Sequence, residues 1–123
     1  MTTILIIDDE ASFRTMLRRM LEVNGYAVLE AGNGDSGLML LSEEQVDLVV
    51  SDIVMPEKEG IETIREIKAL YPQQKVIAVS GGGQVGPGGY LQNAVMLGAD
   101  CAMKKPFGVD ELLGTVKGLL ACA

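Results

Sequence analysis

Five short apolar runs alternate with five helical patterns along the chain, and this alternation constrains the fold more than any other feature of the sequence. Short runs that are partly β-branched are typical of strands buried on both faces, and parallel strands need a helix between them. The pattern predicts an α/β fold: one doubly wound (βα)5 domain with a five-stranded parallel sheet and helices on both faces. The strands are predicted at residues 4–7, 26–30, 48–50, 75–79 and 101–103, and the helices around 13–21, 33–44, 61–70, 90–97 and 109–120.

Apolar side chains recur with helical spacing in four of the helical patterns, which predicts the face of each helix that packs on the sheet. In the first helix, Arg14, Arg18 and Arg19 fall on the other side and are expected to face solvent. The residues expected to face inward are Phe13, Met16, Leu17, Met20 and Leu21, then Leu38, Leu40 and Leu41, then Ile61, Ile64, Ile67 and Leu70, and finally Val109, Leu112, Leu113, Val116, Leu119 and Leu120.

Length and charge narrow the class of protein. We expect residues 1–123 to form one domain, with no effector domain after residue 120. The formal net charge of −7 disfavours direct binding of nucleic acid or of an anionic membrane through a basic surface. The first residues lack a signal-peptide pattern, and no apolar stretch approaches the roughly 20 residues that span a bilayer. We therefore expect a cytoplasmic protein without membrane contact, in which Cys101 and Cys122 are reduced.

Polar residues follow the predicted strands. Asp52 comes where the central run ends, Asp8 and Asp9 follow the first strand, Ser80 follows the fourth, and Lys105 follows the fifth. Because ligands bind at the carboxyl ends of strands in open α/β sheets, one crevice could hold all five side chains. Each residue alone also has a plain structural interpretation: Asp52 as a turn residue, Asp8 or Asp9 as a helix cap, Ser80 as a strand-end hydroxyl and Lys105 as a solvated charge.

The chemistry of this set points to a cation and a phosphoryl group. Three carboxylates in one crevice repel one another, and a bound cation relieves that repulsion. The chain has no histidine, so oxygen ligands remain, and these favour Mg²⁺ or Mn²⁺ over zinc. The Lys105 ammonium and the Ser80 hydroxyl suit phosphoryl oxygens, and a carboxylate nucleophile beside them forms an aspartyl phosphate.

Four motifs occur in order, each near the end of a predicted strand. They are Ile7-Asp8-Asp9-Glu10, the block Asp52-Ile53-Val54-Met55-Pro56 followed by Gly60, the single residue Ser80, and Lys105-Pro106-Phe107. From residue 4 to residue 120 the chain resembles the receiver domain of bacterial two-component response regulators, the CheY-like family. The resemblance implies a flavodoxin-like sheet with strand order 2-1-3-4-5.

The resemblance also implies roles for the acids. Asp52 would be the phosphoacceptor, taking a phosphoryl group from a sensor histidine kinase or a phosphotransfer protein. Asp9 and Asp52 would bind Mg²⁺ directly and Asp8 through water, with the main-chain carbonyl of Val54 as a further ligand.

Ser80 and Lys105 would hold the phosphoryl oxygens, helped by main-chain N–H groups near Ile53 and Gly81. The family resemblance implies a cis peptide bond between Lys105 and Pro106. Phosphorylation would change the affinity for a downstream protein target, so the chain is expected to be a signalling phosphoacceptor and not an enzyme. We expect a monomer or a weak homodimer.

Some positions depart from the family pattern. The family often has an aromatic ring three residues before its lysine, where this chain has Ala102, so no ring at that position could report phosphorylation. We expect the backbone of the glycine-rich loop 81–89 to carry the switch instead. Val54 and Gly82 occupy the positions that tune hydrolysis of the aspartyl phosphate. Neither side chain orients water, which predicts slow self-dephosphorylation.

Other interpretations fit less of the chain. Phosphatases of the haloacid-dehalogenase type carry the pattern Asp-x-Asp after their first strand. Here the residue two after Asp52 is Val54, so the pattern is not met. A dinucleotide fingerprint at 81–86 fails because Asp100 begins the next predicted strand rather than ending it, and a Walker loop fails because Pro87 stands where a lysine is needed. A receiver-shaped scaffold that binds partners without being phosphorylated remains as the alternative.

Overall fold

A computed structural model of the chain describes residues 2–53, 60–81, 98–105 and 107–121. Five strands form one sheet: β1 (Thr3–Ile7), β2 (Ala27–Ala31), β3 (Leu48–Asp52), β4 (Lys75–Gly81) and β5 (Cys101–Lys105). Four helices lie within the described residues: α1 (Ala11–Val23), α2 (Gly34–Glu43), α3 (Gly60–Leu70) and α4 (Val109–Ala121). Every strand pairing is parallel and the strand order is β2-β1-β3-β4-β5, which confirms the predicted α/β fold and its order.

The strands extend further toward their carboxyl ends than the apolar runs do. β3 reaches Asp52, β4 reaches Gly81 and β5 reaches Lys105, because parallel pairing continues after the side chains become polar. The helix predicted at 90–97 lies outside the described residues, as do most of the glycine-rich loop and the peptide bond at Pro106. None of the described helices is both long and apolar enough to cross a bilayer.

The sheet buries a hydrophobic cluster on each face. Successive residues of a strand point to opposite faces, so Leu5 and Ile7 of β1 enter one cluster while Ile4 and Ile6 enter the other. The first cluster contains Leu41 of α2 with Ile64 and Ile67 of α3, and the second contains Leu17 and Leu21 of α1 with Leu112 and Val116 of α4. Of the four described helices, two thus cover each face, and helices on both faces are expected for a doubly wound sheet.

Three apolar residues predicted to face inward are instead exposed: Met16 by 41%, Leu70 by 64% and Val109 by 39%. Met16 lies about 120° around the helix from the midpoint of the buried pair Leu17 and Leu21, at about 100° per residue. Leu70 is the last residue of α3 and Val109 the first of α4. The prediction was wrong at these positions because helical spacing does not show how far the sheet reaches.

At Gly37, helix α2 lies close to the side chain of Ile7 on β1. A Cβ atom added there would lie 2.9 Å from Cγ1 of Ile7, inside the normal van der Waals contact distance. Ile7 is fully buried and β-branched, so its side chain has few alternative rotamers. Glycine at this position lets the helix pack directly on β1.

We expect Gly37→Ala to destabilise the protein by about 1–3 kcal/mol, because an added methyl group overpacks the core. Gly114→Ala is the matched control: position 114 is also inside a helix, but an added Cβ there meets nothing within 4 Å. That substitution should stabilise the protein by up to about 1 kcal/mol through helix propensity. Urea unfolding measures both, and equal effects of the two substitutions would contradict the packing assigned to Gly37.

Candidate functional site

Three acids come together at the carboxyl edge of the sheet. Asp8 directly follows β1, Asp9 is the next residue, and Asp52 ends β3. One carboxylate oxygen from each of the three lies within 4.8 Å of the others. Asp8 is 1% exposed and Asp52 is 6% exposed, whereas Asp9 is open to solvent. Solvent therefore reaches the cluster from the side of Asp9.

Lys105 supplies a positive charge to this cluster. Its Nζ atom lies 3.1 Å from Oδ2 of Asp8 and 3.7 Å from Oδ2 of Asp52. The Lys105 side chain is 17% exposed, so these contacts are made largely out of water. The same Nζ atom lies 3.8 Å from the centroid of the Phe13 ring, a contact that the sequence analysis missed.

Ser80 is buried near the carboxyl end of β4, where the register pairs it with Lys104 of β5. Asp52 pairs with Val79, so Ser80 lies one residue beyond Asp52 along the same edge of the sheet. Val54, whose main-chain carbonyl is the fourth predicted metal ligand beside Asp8, Asp9 and Asp52, lies outside the described residues. Asp8, Asp9, Asp52, Ser80 and Lys105 all lie at this one edge.

The two carboxylate oxygens of Asp8 have different partners. Oδ1 accepts a hydrogen bond from the main-chain N–H of Glu10 at 2.9 Å, while Oδ2 faces Lys105. Asp8 is not the cap of α1, because the N-cap residue is Glu10 and no side chain caps that helix end. One oxygen therefore fixes the turn after β1 and the other is directed into the cluster.

The main chain of Asp8 is also fixed on both sides. Its N–H donates to the carbonyl of Ala31 at 3.1 Å, and its carbonyl accepts from Nη1 of Arg14 at 2.6 Å. Arg14 in turn donates through Nε to Oε1 of Glu30 at 3.1 Å, and Glu30 accepts from Nη1 of Arg18 at 2.6 Å. Arg14 and Arg18 were predicted to face solvent, but both are partly buried against β2.

This arginine network holds Glu30 in its charged form. The hydrogen bond from Arg18 is the largest cause that lowers the pKa of Glu30, and the hydrogen bond from Arg14 adds to it, while partial burial acts in the opposite direction. The same contact with Glu30 raises the pKa of Arg18. The sequence signal that could have predicted this network is Glu30, a charged residue near the end of an otherwise apolar strand.

The net negative charge of the site favours binding of a divalent cation. Three carboxylates and one ammonium sum to about −2 at neutral pH, which one divalent ion would balance. The ligand atoms are carboxylate oxygens, the donors that Mg²⁺ prefers, and the exposed Asp9 leaves space for the water that Mg²⁺ retains. The residues present therefore fit Mg²⁺ or Mn²⁺.

Comparisons with known proteins show the family and the fold of the chain. A family model described as the response regulator receiver domain matches residues 4–117. The chain is 37% identical over 118 residues to the chemotaxis protein CheY of Bacillus subtilis, covering 95% of this chain and 96% of CheY. It is 32% identical to the transcriptional regulatory protein CpxR of Klebsiella pneumoniae, covering 98% of this chain but only 50% of CpxR. The crystal structure of the response regulator protein TrrA of Thermotoga maritima in complex with Mg²⁺-BeF superimposes with a TM-score of 0.85 at 32% identity, covering 97% of this chain and 99% of TrrA.

Glu30→Gln should lower the free energy of unfolding by about 1 kcal/mol at pH 7, because a charged hydrogen-bond acceptor becomes neutral. The folded pKa of Glu30 lies below the unfolded value, so this stabilisation is present above about pH 4.3 and is lost as pH falls through the folded pKa. Urea unfolding from pH 7 down to pH 3 measures the difference between variant and parent.

The matched control for this prediction is Glu22→Gln, which removes the other carboxylate paired with Arg18. That pair is an i,i+4 contact between side chains that are 42% and 48% exposed, so solvent screens it. We expect a loss of about 0.3–0.5 kcal/mol at most. A Glu30→Gln effect that stays constant down to pH 3 would contradict the charge-based explanation.

Proposed function

Because the chain belongs to the response regulator receiver domain family of two-component systems, we propose that Asp52 accepts a phosphoryl group in a Mg²⁺-dependent reaction. The donor would be a phosphohistidine on a sensor histidine kinase or on a phosphotransfer protein. The observation that carries the proposal is the buried Asp52 carboxylate, held beside two further acids with an ammonium 3.7 Å away. Without such a counter-charge, an acid in this position would be repelled by a phosphoryl group.

The proposed metal ligands are Asp8, Asp9, Asp52 and the main-chain carbonyl of Val54, with Asp8 acting through water. Mg²⁺ is the proposed ion and Mn²⁺ a possible substitute. When bound, the ion would neutralise charge on the carboxylates and on the phosphoryl oxygens. Support comes from the oxygen-only donor set, and from the relative TrrA, whose complex contains Mg²⁺-BeF.

In the proposed transfer, one carboxylate oxygen of Asp52 forms a bond to phosphorus while the phosphorus–nitrogen bond of the donor breaks. The electron pair of that bond returns to the imidazole nitrogen. Lys105 lies close enough to Asp52 to neutralise charge on the phosphoryl oxygens, and Ser80 would donate its hydroxyl to one of them. Burial of Asp52 limits the access of water, so positioning and electrostatics carry the catalysis.

The proposed output is a change of affinity for a downstream protein target. The phosphoryl group would draw Ser80 inward, and the backbone after β4 would carry the change because Ala102 offers no ring. We propose that the chain works in the cytoplasm as one receiver domain, a signalling phosphoacceptor rather than an enzyme acting on other molecules, and as a monomer or weak homodimer. The wide coverage of CheY supports the receiver domain as the folding unit, while CpxR, of which the chain spans half, leaves the wider protein open.

Incubation with Mg²⁺ and acetyl phosphate should add the mass of one phosphoryl group to the intact protein. Asp52→Asn and removal of Mg²⁺ with EDTA should each abolish the adduct, while Asp110→Asn, at an exposed acid of α4, should leave it unchanged. Intact-protein mass spectrometry detects the adduct. An adduct that survives in Asp52→Asn would sink the assignment, and its absence from the parent protein would favour the phosphorylation-independent scaffold.

We expect the phosphoryl adduct to be lost slowly once the donor is removed, because neither Val54 nor Gly82 carries a side chain that orients water. Val54→Asn introduces an amide that could hold a water molecule and should shorten the adduct lifetime. A time course of intact mass after desalting compares the two proteins. Rapid spontaneous loss from the parent protein would contradict the expectation.

A further inference from the structure

Among the residues that the structure describes, the ammonium of Lys105 has three partners, and one of them is an aromatic ring rather than an oxygen. Nζ lies 3.1 Å from Oδ2 of Asp8, 3.7 Å from Oδ2 of Asp52 and 3.8 Å from the centroid of the Phe13 ring. A cation at this distance from a ring face is attracted by the negative quadrupole of the ring. These three partners fix the position of the ammonium, which is otherwise mobile because it is carried on a flexible four-carbon chain.

The Phe13 ring is itself oriented by a second ring. Phe13 and Phe107 are in edge-to-face contact, with ring centroids 6.0 Å apart and an interplanar angle of 82°. Aromatic pairs favour this arrangement because the positive edge of one ring meets the negative face of the other. Phe13 also packs against the cluster beneath α1 and α4, so its ring is braced by the core.

The ring differs from the carboxylates in what it does to the charge of Lys105. A carboxylate partner neutralises the ammonium and competes with an incoming anion, whereas a ring attracts the ammonium and leaves its full positive charge. If a metal ion bound Asp52 directly and Asp8 through water, as proposed, the carboxylate contacts of Lys105 would weaken. The contact with Phe13 uses neither oxygen and is independent of that change.

We propose that Phe13 is a positioning residue for the phosphoryl transfer, holding the Lys105 ammonium over its ring face so that the charge is in place when a phosphoryl group arrives. This inference rests on the proposed function, in which Lys105 contacts the phosphoryl oxygens. An ordinary core role for Phe13 would explain its packing against the hydrophobic cluster but gives no part to the ammonium above the ring.

Phe13→Leu removes the ring and keeps a core-filling side chain, and Phe13→Met does so with a flexible chain should the leucine variant fold poorly. Phe13→Tyr keeps an aromatic face. With acetyl phosphate and saturating Mg²⁺, we expect Phe13→Leu and Phe13→Met to be phosphorylated about 3- to 10-fold more slowly than the parent. Phe13→Tyr should stay within about twofold.

Tyr26→Leu is the matched control, because Tyr26 is an aromatic residue packed on the same core cluster just before β2 begins, away from the carboxyl edge. We expect its phosphorylation rate to match the parent. Affinity for beryllofluoride in the presence of Mg²⁺ gives a readout that needs no transfer step, and it should fall by the same factor in Phe13→Leu.

Two measurements separate positioning from packing. The Cε protons of Lys105 should show an upfield ring-current shift in the parent and in Phe13→Tyr, and the shift should vanish in Phe13→Leu. In a Lys105→Met background, adding Phe13→Leu should slow phosphorylation no further, because the ring then has no ammonium to hold.

Phosphorylation of Phe13→Leu at the parent rate, or an additive loss in the Lys105→Met background, would overturn the proposal. These outcomes differ from a failure of the proposed function, which would appear as no adduct on the parent protein. The ring-current shift and its loss are measurable in either case.

Discussion

Two buried carboxylates lie side by side at one edge of the sheet, and the rest of the site depends on holding them there. Asp8 and Asp52 are 1% and 6% exposed, so little water screens their repulsion. Lys105 contacts both, which makes the arrangement tolerable, because a buried charge without a partner is strongly destabilising. The three residues lie at the carboxyl ends of β1, β3 and β5 and are far apart in sequence. Their meeting therefore depends on the strands ending in the correct order and register.

The register shows how this is achieved. Ile7 pairs with Ser51, so Asp8 follows β1 at the level of Asp52, and Asp52 pairs with Val79 on β4. Lys105 pairs with Gly81, two residues further along β4, so it lies beyond the acids along the strand direction. Its long side chain reaches back over them, and the Phe13 ring lies against the end of that side chain. A shorter cation at position 105 would not reach both carboxylates.

The sequence was sufficient for the parallel sheet and the convergence of the acids, because apolar runs and strand-end residues are local signals that topology combines, while the strand order came from the family resemblance. The sequence was insufficient where the burial or pairing of a side chain depends on contacts between different helices and strands. Met16 has the right spacing for burial but lies outside the area that the sheet covers. Arg14 was predicted to face solvent, but it pairs with Glu30, and that pairing depends on how α1 lies along β2. The contact between Phe13 and Lys105 spans most of the chain and has no sequence signature at all.

The pairing of β4 with β5, which places Lys105, also limits how phosphorylation could change the structure outside the site. Ala102 pairs with Ala78, so this part of β4 and β5 carries two small side chains and no ring that could turn. Ser80 and Gly81 pair with Lys104 and Lys105, which ties the main chain after the proposed hydroxyl to the strand that holds the ammonium. In the proposed function, a displacement of Ser80 would therefore act on β5 through the backbone. The physical consequence is that phosphoryl binding and output would share one pair of strands, without a side-chain rotamer between them.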